Sequence, residues 1–208
     1  MQRPKTLLRD IFGFNEFRPG QSEIIDAVVD KQNVLAIMPT GGGKSLCFQL
    51  PALMSEGLTV VISPLIALMR DQVRGLQAAG VAAEAITSAN TEEETDKIFS
   101  ALNASKLRIL YLAPERLAST AMQSALHRYN VVSLIVDEAH CVSQWGHDFR
   151  PDYLRIGELR RSLGVPLAAF TATADEETRQ EIIERLFDGI APSSFLHGFD
   201  RPNIHFSF

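Results

Sequence analysis

The sequence predicts an α/β fold: a mostly parallel central sheet with helices on both faces. Three observations predict it. Short apolar runs bounded by turn signals recur at residues 34–38, 58–62, 82–86, 107–112, 131–136 and 167–170. Helical periodicity fills the intervals, and strands that alternate with helices imply right-handed crossovers between parallel neighbours. A glycine-rich loop also separates the first run from the helix-forming stretch after it.

The first run, Val34-Leu35-Ala36-Ile37-Met38, opens into Thr40-Gly41-Gly42-Gly43-Lys44-Ser45 and then into Leu46-Cys47-Phe48-Gln49-Leu50. Strand, glycine loop, helix is the order a phosphate cradle requires. Glycines let successive backbone N–H groups face one anion, the helix N-terminus adds a partial positive charge, and Lys44 adds a full one. Ser45 is placed to put its hydroxyl on Mg²⁺. The P-loop pattern G-x-x-x-x-G-K-[ST] asks for glycine where Met38 stands, but its glycines, lysine and hydroxyl are present. The alternative is a flexible turn that happens to precede a lysine, and the flanking strand and helix argue against it.

The second run leads to a helix over 65–76 closed by Gly80, and the third to a helix beginning at Thr91. Glu92, Glu93, Glu94 and Asp96 crowd that first turn and need only a capping and dipole role. The run 131–136 reads as a fully buried parallel strand delivering Asp137-Glu138-Ala139-His140 at its carboxyl end, the edge where open α/β sheets bind ligands. Two adjacent carboxylates against an apolar strand are costly to bury unless a cation or a reaction uses them. Asp137 would hold Mg²⁺ and Glu138 would orient or deprotonate an attacking water. An acid-favouring helix N-terminus would explain one carboxylate, but not the pair together with Lys44. The last run passes through Thr171 and Thr173 into a helix over 175–187 with Glu and Arg on its exposed side.

The 208 residues, 46% of them apolar, suffice for one sizeable core. A formal charge of −5 argues against coating nucleic acid by bulk electrostatics, so any such contact must be local. The two cysteines, Cys47 and Cys141, lack metal-ligand spacing with each other or with the histidines and read as small core residues. No charged-then-apolar leader precedes residue 20, and no apolar run approaches the roughly 18 residues of a membrane span. A soluble, reducing, cytoplasmic setting is expected, nucleoid-associated if the source is bacterial.

The motifs together resemble the first RecA-like domain of RecQ-family DNA helicases. Phe14 with Phe17-Arg18-Pro19-Gly20-Gln21 is similar to that family's adenine-recognition motif, and residues 38–45 to its Walker A loop, including the non-glycine at the first position. Residues 63–72 and 111–117 resemble two strand-end segments that touch the nucleic-acid backbone. Asp137-Glu138-Ala139-His140 resembles Walker B, and Phe170-Thr171-Ala172-Thr173-Ala174 the coupling motif. Phe199-Asp200-Arg201-Pro202-Asn203 resembles the link to a second RecA-like domain. On this reading, residues 1–198 form the nucleotide-binding domain and 199–208 begin the linker of a longer protein.

The segment from Ser143 to Tyr153 resembles the family's aromatic-rich loop. Trp145 and Phe149 offer ring faces for unpaired bases, Arg150 offers a cation to backbone or ring, and Gln144 and His147 lie between. The alternative makes Trp145 and Phe149 the buried stripe of a helix, which Gly146 and Pro151 disfavour. Gln21 could pair with the adenine edge, with Phe14 on its face and Arg18 nearby, yet Arg-Pro-Gly-Gln is equally an ordinary helix start. His140 could relay nucleotide state or be a satisfied structural histidine. Thr171 and Thr173 could bond toward Asp137, or Thr173 could cap the next helix.

The resemblance implies ATP and Mg²⁺ as cofactors, and single-stranded and partly duplex DNA as partners. It implies hydrolysis coupled to 3′-to-5′ translocation, with an arginine finger supplied by the second RecA-like domain, so that these 208 residues alone are expected to be nearly inactive. The alternatives are a non-catalytic nucleotide-gated binding module, against which Glu138 speaks, and an RNA-directed helicase, against which the aromatic loop speaks.

Overall fold

A computed structural model of the chain describes residues 4–145 and 148–196. The sequence assignments to His147 and to the linker 199–208 lie outside the described residues. Seven parallel strands form one sheet in the order β3-β4-β2-β5-β6-β1-β7. They are β1 (Val34–Ile37), β2 (Leu58–Ile62), β3 (Ala83–Ile86), β4 (Ile109–Leu112), β5 (Val131–Val136), β6 (Leu167–Thr171) and β7 (Ser193–Leu196). Eight α-helices intervene among the described residues: α1 (Pro4–Phe12), α2 (Gln21–Val29), α3 (Lys44–Met54), α4 (Ile66–Ala78), α5 (Glu92–Asn103), α6 (Thr120–Arg128), α7 (Arg155–Leu163) and α8 (Glu176–Phe187). None of them is long and apolar enough to cross a membrane.

The runs are apolar at nearly every position because both sheet faces are covered, yet the strand period of two still sorts their side chains. Val34 and Ala36 of β1, Val61 of β2, Ile135 of β5 and Ala168 and Phe170 of β6 point to the layer closed by α1 to α4. Leu35, Val60, Ile62, Leu134, Val136, Leu167 and Ala169 point to the opposite layer, closed by α5 to α8. The strand at 131–136 is fully buried only from Leu134 onward; Val131, Val132 and Ser133 are half-buried.

Helix starts follow local chemistry. Thr91 and Glu94 form a reciprocal capping box at α5. Asp175 accepts from Thr178 N–H at 2.8 Å to cap α8. That corrects the expectation for Thr173, which does not cap this helix. Strand β7 was not anticipated, because its four residues alternate half-buried and exposed and carry no apolar run. It pairs with β1 from Val34↔Ser193 to Ile37↔Leu196, while β6 flanks the other edge of β1.

Candidate active site

Four strand ends that are neighbours in the sheet, those of β2, β5, β6 and β1, bring together segments far apart in sequence. After β1 comes the glycine loop. Gly43, at φ 81°, is the N-cap of α3 and provides no side-chain cap, so the first-turn N–H groups are left to a ligand. A Cβ there would lie 2.3 Å from Gln21 Nε2, so both the backbone angle and the close approach require glycine. Lys44 Nζ donates to Met38 O at 3.3 Å, which holds the ammonium over the loop.

After β5 comes Asp137, whose N–H continues the sheet by donating to Ile62 O at 2.8 Å. Its carboxylate accepts from Ser63 Oγ at 3.3 Å and from Glu138 N–H at 3.0 Å. Burial pushes the Asp137 carboxyl up to about 6, and the charge of Glu138 adds to the rise, against the pull of the Glu138 N–H, Lys44 and Ser63. Glu138 stands in the left-handed region at φ 50°, a strained backbone for a side chain with a Cβ, and this turns the chain sharply into the 3₁₀ turn Ala139–Val142. Tyr153 Oη donates to Asp137 O at 2.9 Å from beneath.

These groups face one cleft of about 520 Å³ lined by Phe14, Glu16, Arg18, Gln21, Thr40, Gly41, Gly43, Lys44, Ser45, Leu46, Leu68, Gln72, Asp137 and Glu138. Lys44 and both carboxylates are therefore at the same rim. Phe14 is 52% exposed and free to lie against a planar ring. Gln21 is buried with its amide directed at the loop: Oε1 accepts from Arg18 N–H at 2.8 Å, and Nε2 donates to Gly43 O at 3.2 Å and Gly42 O at 3.4 Å. Arg18 in turn donates to Gly41 O. Arg18 and Gln21 thus brace the phosphate loop from the helix-start side as well as lining the cleft, which Phe14 also lines.

Thr171 does not bond toward Asp137; Ser63 occupies that role. Instead, His140 Nδ1 and Thr171 Oγ1 are 2.8 Å apart, with Glu138 Oε2 3.4 Å from the same nitrogen. Trp145 is 79% exposed, which removes the buried-stripe alternative, and no α-helix covers the described part of 143–150. Gln144 is also exposed and its N–H donates to Glu181 Oε2 at 2.8 Å, while Phe149 and Arg150 are half-buried. Arg150 N–H donates to Cys141 O at 2.9 Å, and Cys141 Sγ meets Asp148 Oδ2 at 3.5 Å, so the loop is pinned directly behind the carboxylate pair.

The residues present fit a Mg²⁺–nucleotide. The open N–H groups of α3 and Lys44 suit a polyphosphate, and Ser45 with Asp137 gives the oxygen donors a hard divalent cation takes. Glu16, Leu46, Leu68 and Gln72 complete the lining; sequence reasoning assigned Glu16 and Leu46 no ligand contact, and it placed Leu68 and Gln72 in a segment resembling a nucleic-acid contact, not in the nucleotide cleft.

The family profile described as DEAD/DEAH box helicase matches residues 18–182. ATP-dependent DNA helicase RecQ of Haemophilus influenzae is 43% identical over 210 residues, covering 100% of this chain and 34% of that protein. RecQ of Pasteurella multocida is 45% identical, over 97% of this chain and 32% of its own length. The chain spans about a third of these relatives. The helicase domain of Pyrococcus furiosus Hef superposes with a TM-score of 0.69 at 20% identity, over 94% of this chain and 40% of that one. A hypothetical ATP-dependent RNA helicase from Sulfolobus tokodaii superposes at 0.72 and 20% identity, over 93% of this chain and 57% of that one. At such identities the superpositions show a shared RecA-like helicase fold.

Proposed function

The chain belongs to the DEAD/DEAH box helicase family, and from that premise we propose that it is the nucleotide-binding half of a RecQ-type DNA helicase, hydrolysing Mg-ATP to drive movement along single-stranded DNA. One observation carries the reading: Lys44, Ser45, Asp137 and Glu138 line a single cleft at the carboxyl rim of the sheet. Their side chains match the parts that phosphoryl transfer needs, which are positioning and charge stabilisation.

Lys44 and the first-turn N–H groups of α3 neutralise the terminal phosphates. Ser45 Oγ and the Asp137 carboxylate hold the metal. Bound Mg-ATP supplies the phosphoanhydride whose cleavage provides the driving force. Glu138 orients a water and accepts its proton. His140, bonded to Thr171 and close to Glu138, connects that proton acceptor to the strand end after β6. Trp145, Phe149 and Arg150 receive unpaired bases by stacking and cation–π contact. The arginine that stabilises transition-state charge comes from a second RecA-like domain, and such a finger contributes about 10³- to 10⁵-fold in comparable NTPases.

The test is an ATPase assay of the full-length protein with no polymer, with single-stranded DNA and with RNA, alongside the 208-residue chain alone. Stimulation by DNA above RNA, with the short chain nearly inactive, is the expected result. Robust DNA-stimulated turnover by the short chain would refute the need for a second domain, and RNA as the better stimulator would refute the DNA assignment. The 3′-to-5′ direction, read from family resemblance, is checked by unwinding of duplexes carrying a single-stranded tail on one end or the other.

A further inference from the structure

Gln49, on the second turn of α3, is 5% exposed within the apolar layer beside Phe48, Leu50 and Met69. Its Nε2 donates twice, to Gln72 Oε1 at 2.7 Å and to Tyr111 Oη at 2.8 Å. Both amide protons are thereby used. A buried amide left unpaired costs about 1–3 kcal/mol, so the arrangement that satisfies Gln49 fixes α3, α4 and β4 against one another.

Each of those elements leads somewhere different. Helix α3 starts at Lys44 and Ser45. Gln72 of α4 lines the nucleotide cleft and also an adjoining cleft of about 260 Å³ between α1, α3 and α4. Tyr111 stands near the end of β4, just before the 3₁₀ turn Pro114–Ala118, whose Arg116 donates to Thr87 O. Tyr111 is 2% exposed, so its hydroxyl serves this junction and not solvent.

We propose that Gln49 is a positioning residue that couples the phosphate-loop helix to the strand-end segments at 63–72 and 111–117, so that nucleotide in the cleft and a DNA strand at those segments change each other's affinity through this amide. The inference rests on the function proposed above.

The experiment measures, in the full-length protein, the Kd of a non-hydrolysable ATP analogue with and without a saturating single-stranded oligonucleotide. The ratio is the coupling factor, and linkage makes it identical when DNA affinity is measured with and without analogue. Gln49→Met keeps the volume and loses both donors. The expected result is a ratio at least about 5-fold smaller than that of the unmodified protein, with the DNA-free analogue Kd unchanged. Tyr111→Phe removes one bond and lowers the ratio part of the way, and the double variant lowers it no further than Gln49→Met alone. An undiminished ratio in Gln49→Met overturns the proposal, as does a parallel loss of both affinities with a lowered Tm, which marks a merely structural role. Should Gln49→Met fail to fold, an undiminished ratio in Tyr111→Phe overturns it. A ratio of one in the unmodified protein removes the functional reading itself, and the inference with it.

Discussion

His140 Nδ1 and Thr171 Oγ1 lie within hydrogen-bonding distance at 2.8 Å, and the Thr171 hydroxyl is also 3.0 Å from Thr173 O. One imidazole therefore spans the ends of β5 and β6, with Glu138 Oε2 3.4 Å from the same nitrogen. Thr171→Val deletes the hydroxyl that His140 bonds while keeping the branched shape. With a hydrogen bond contributing about 1 kcal/mol, DNA-stimulated kcat of the full-length protein is expected to fall about 5- to 10-fold, with KM for ATP changing less. Steady-state kinetics check this, and unchanged kcat removes His140 from the relay.

Lys44 is half-buried, and its ammonium bonds Met38 O at 3.3 Å. Lys44→Ala is expected to cut hydrolysis by at least about 10²- to 10³-fold, the scale for loss of one charge-stabilising donor. Alanine suits the first position of α3, so thermal unfolding should be nearly unchanged. A variant that unfolds early would show that the lysine is structural.

Burial and the neighbouring Glu138 charge hold Asp137 against its preference. Its carboxyl sits at about 6, above an unfolded value of about 3.9. The folded state thus binds the proton more tightly, so stability decreases as pH rises from about 4 to 6 and stays at the lower level above that window. Asp137→Asn cannot ionise. It is expected to stabilise the nucleotide-free chain by roughly 2–3 kcal/mol at pH 8, with the gain shrinking toward zero near pH 4, while hydrolysis is lost. Metal-free thermal melts across that range decide it.

Trp145 projects 79% of its surface into solvent, and its N–H donates to Ser143 Oγ at 3.2 Å. Trp145→Ala should alter stability by less than about 0.5 kcal/mol and weaken single-strand binding by about 1–3 kcal/mol. Basal hydrolysis should survive while DNA stimulation falls. Equal loss of both would contradict a stacking role.

Six of the seven strands were legible because each is a mainly apolar run with at most one polar residue, and the candidate cleft was legible because Lys44 and Asp137-Glu138 each follow such a run. What escaped depends on contacts between distant residues. Strand β7 owes its place to pairing with β1, not to its own four residues. Ser63 reaches Asp137, and Gln49 reaches Tyr111, only after the sheet has assembled, and the sequence separations of 74 and 62 residues leave no local pattern to read. Gln21 stood open between an adenine-edge contact and a helix start, and its bonds to the glycine loop were not foreseen, since neither reading carries a one-dimensional signal for a contact 21 or 22 residues away.

Among the described residues, the strand that carries the phosphate loop is the earliest, yet its ladder partners are the two latest, β6 and β7. During synthesis, the loop that grips phosphate must wait for β6, from Leu167 onward, before its strand has another strand to pair with. Closing a loop over that span costs entropy before the contacts form, and such long-range pairing slows folding. Capture of a nucleotide analogue during refolding would therefore report completion of the whole sheet, with little signal from any half-built form.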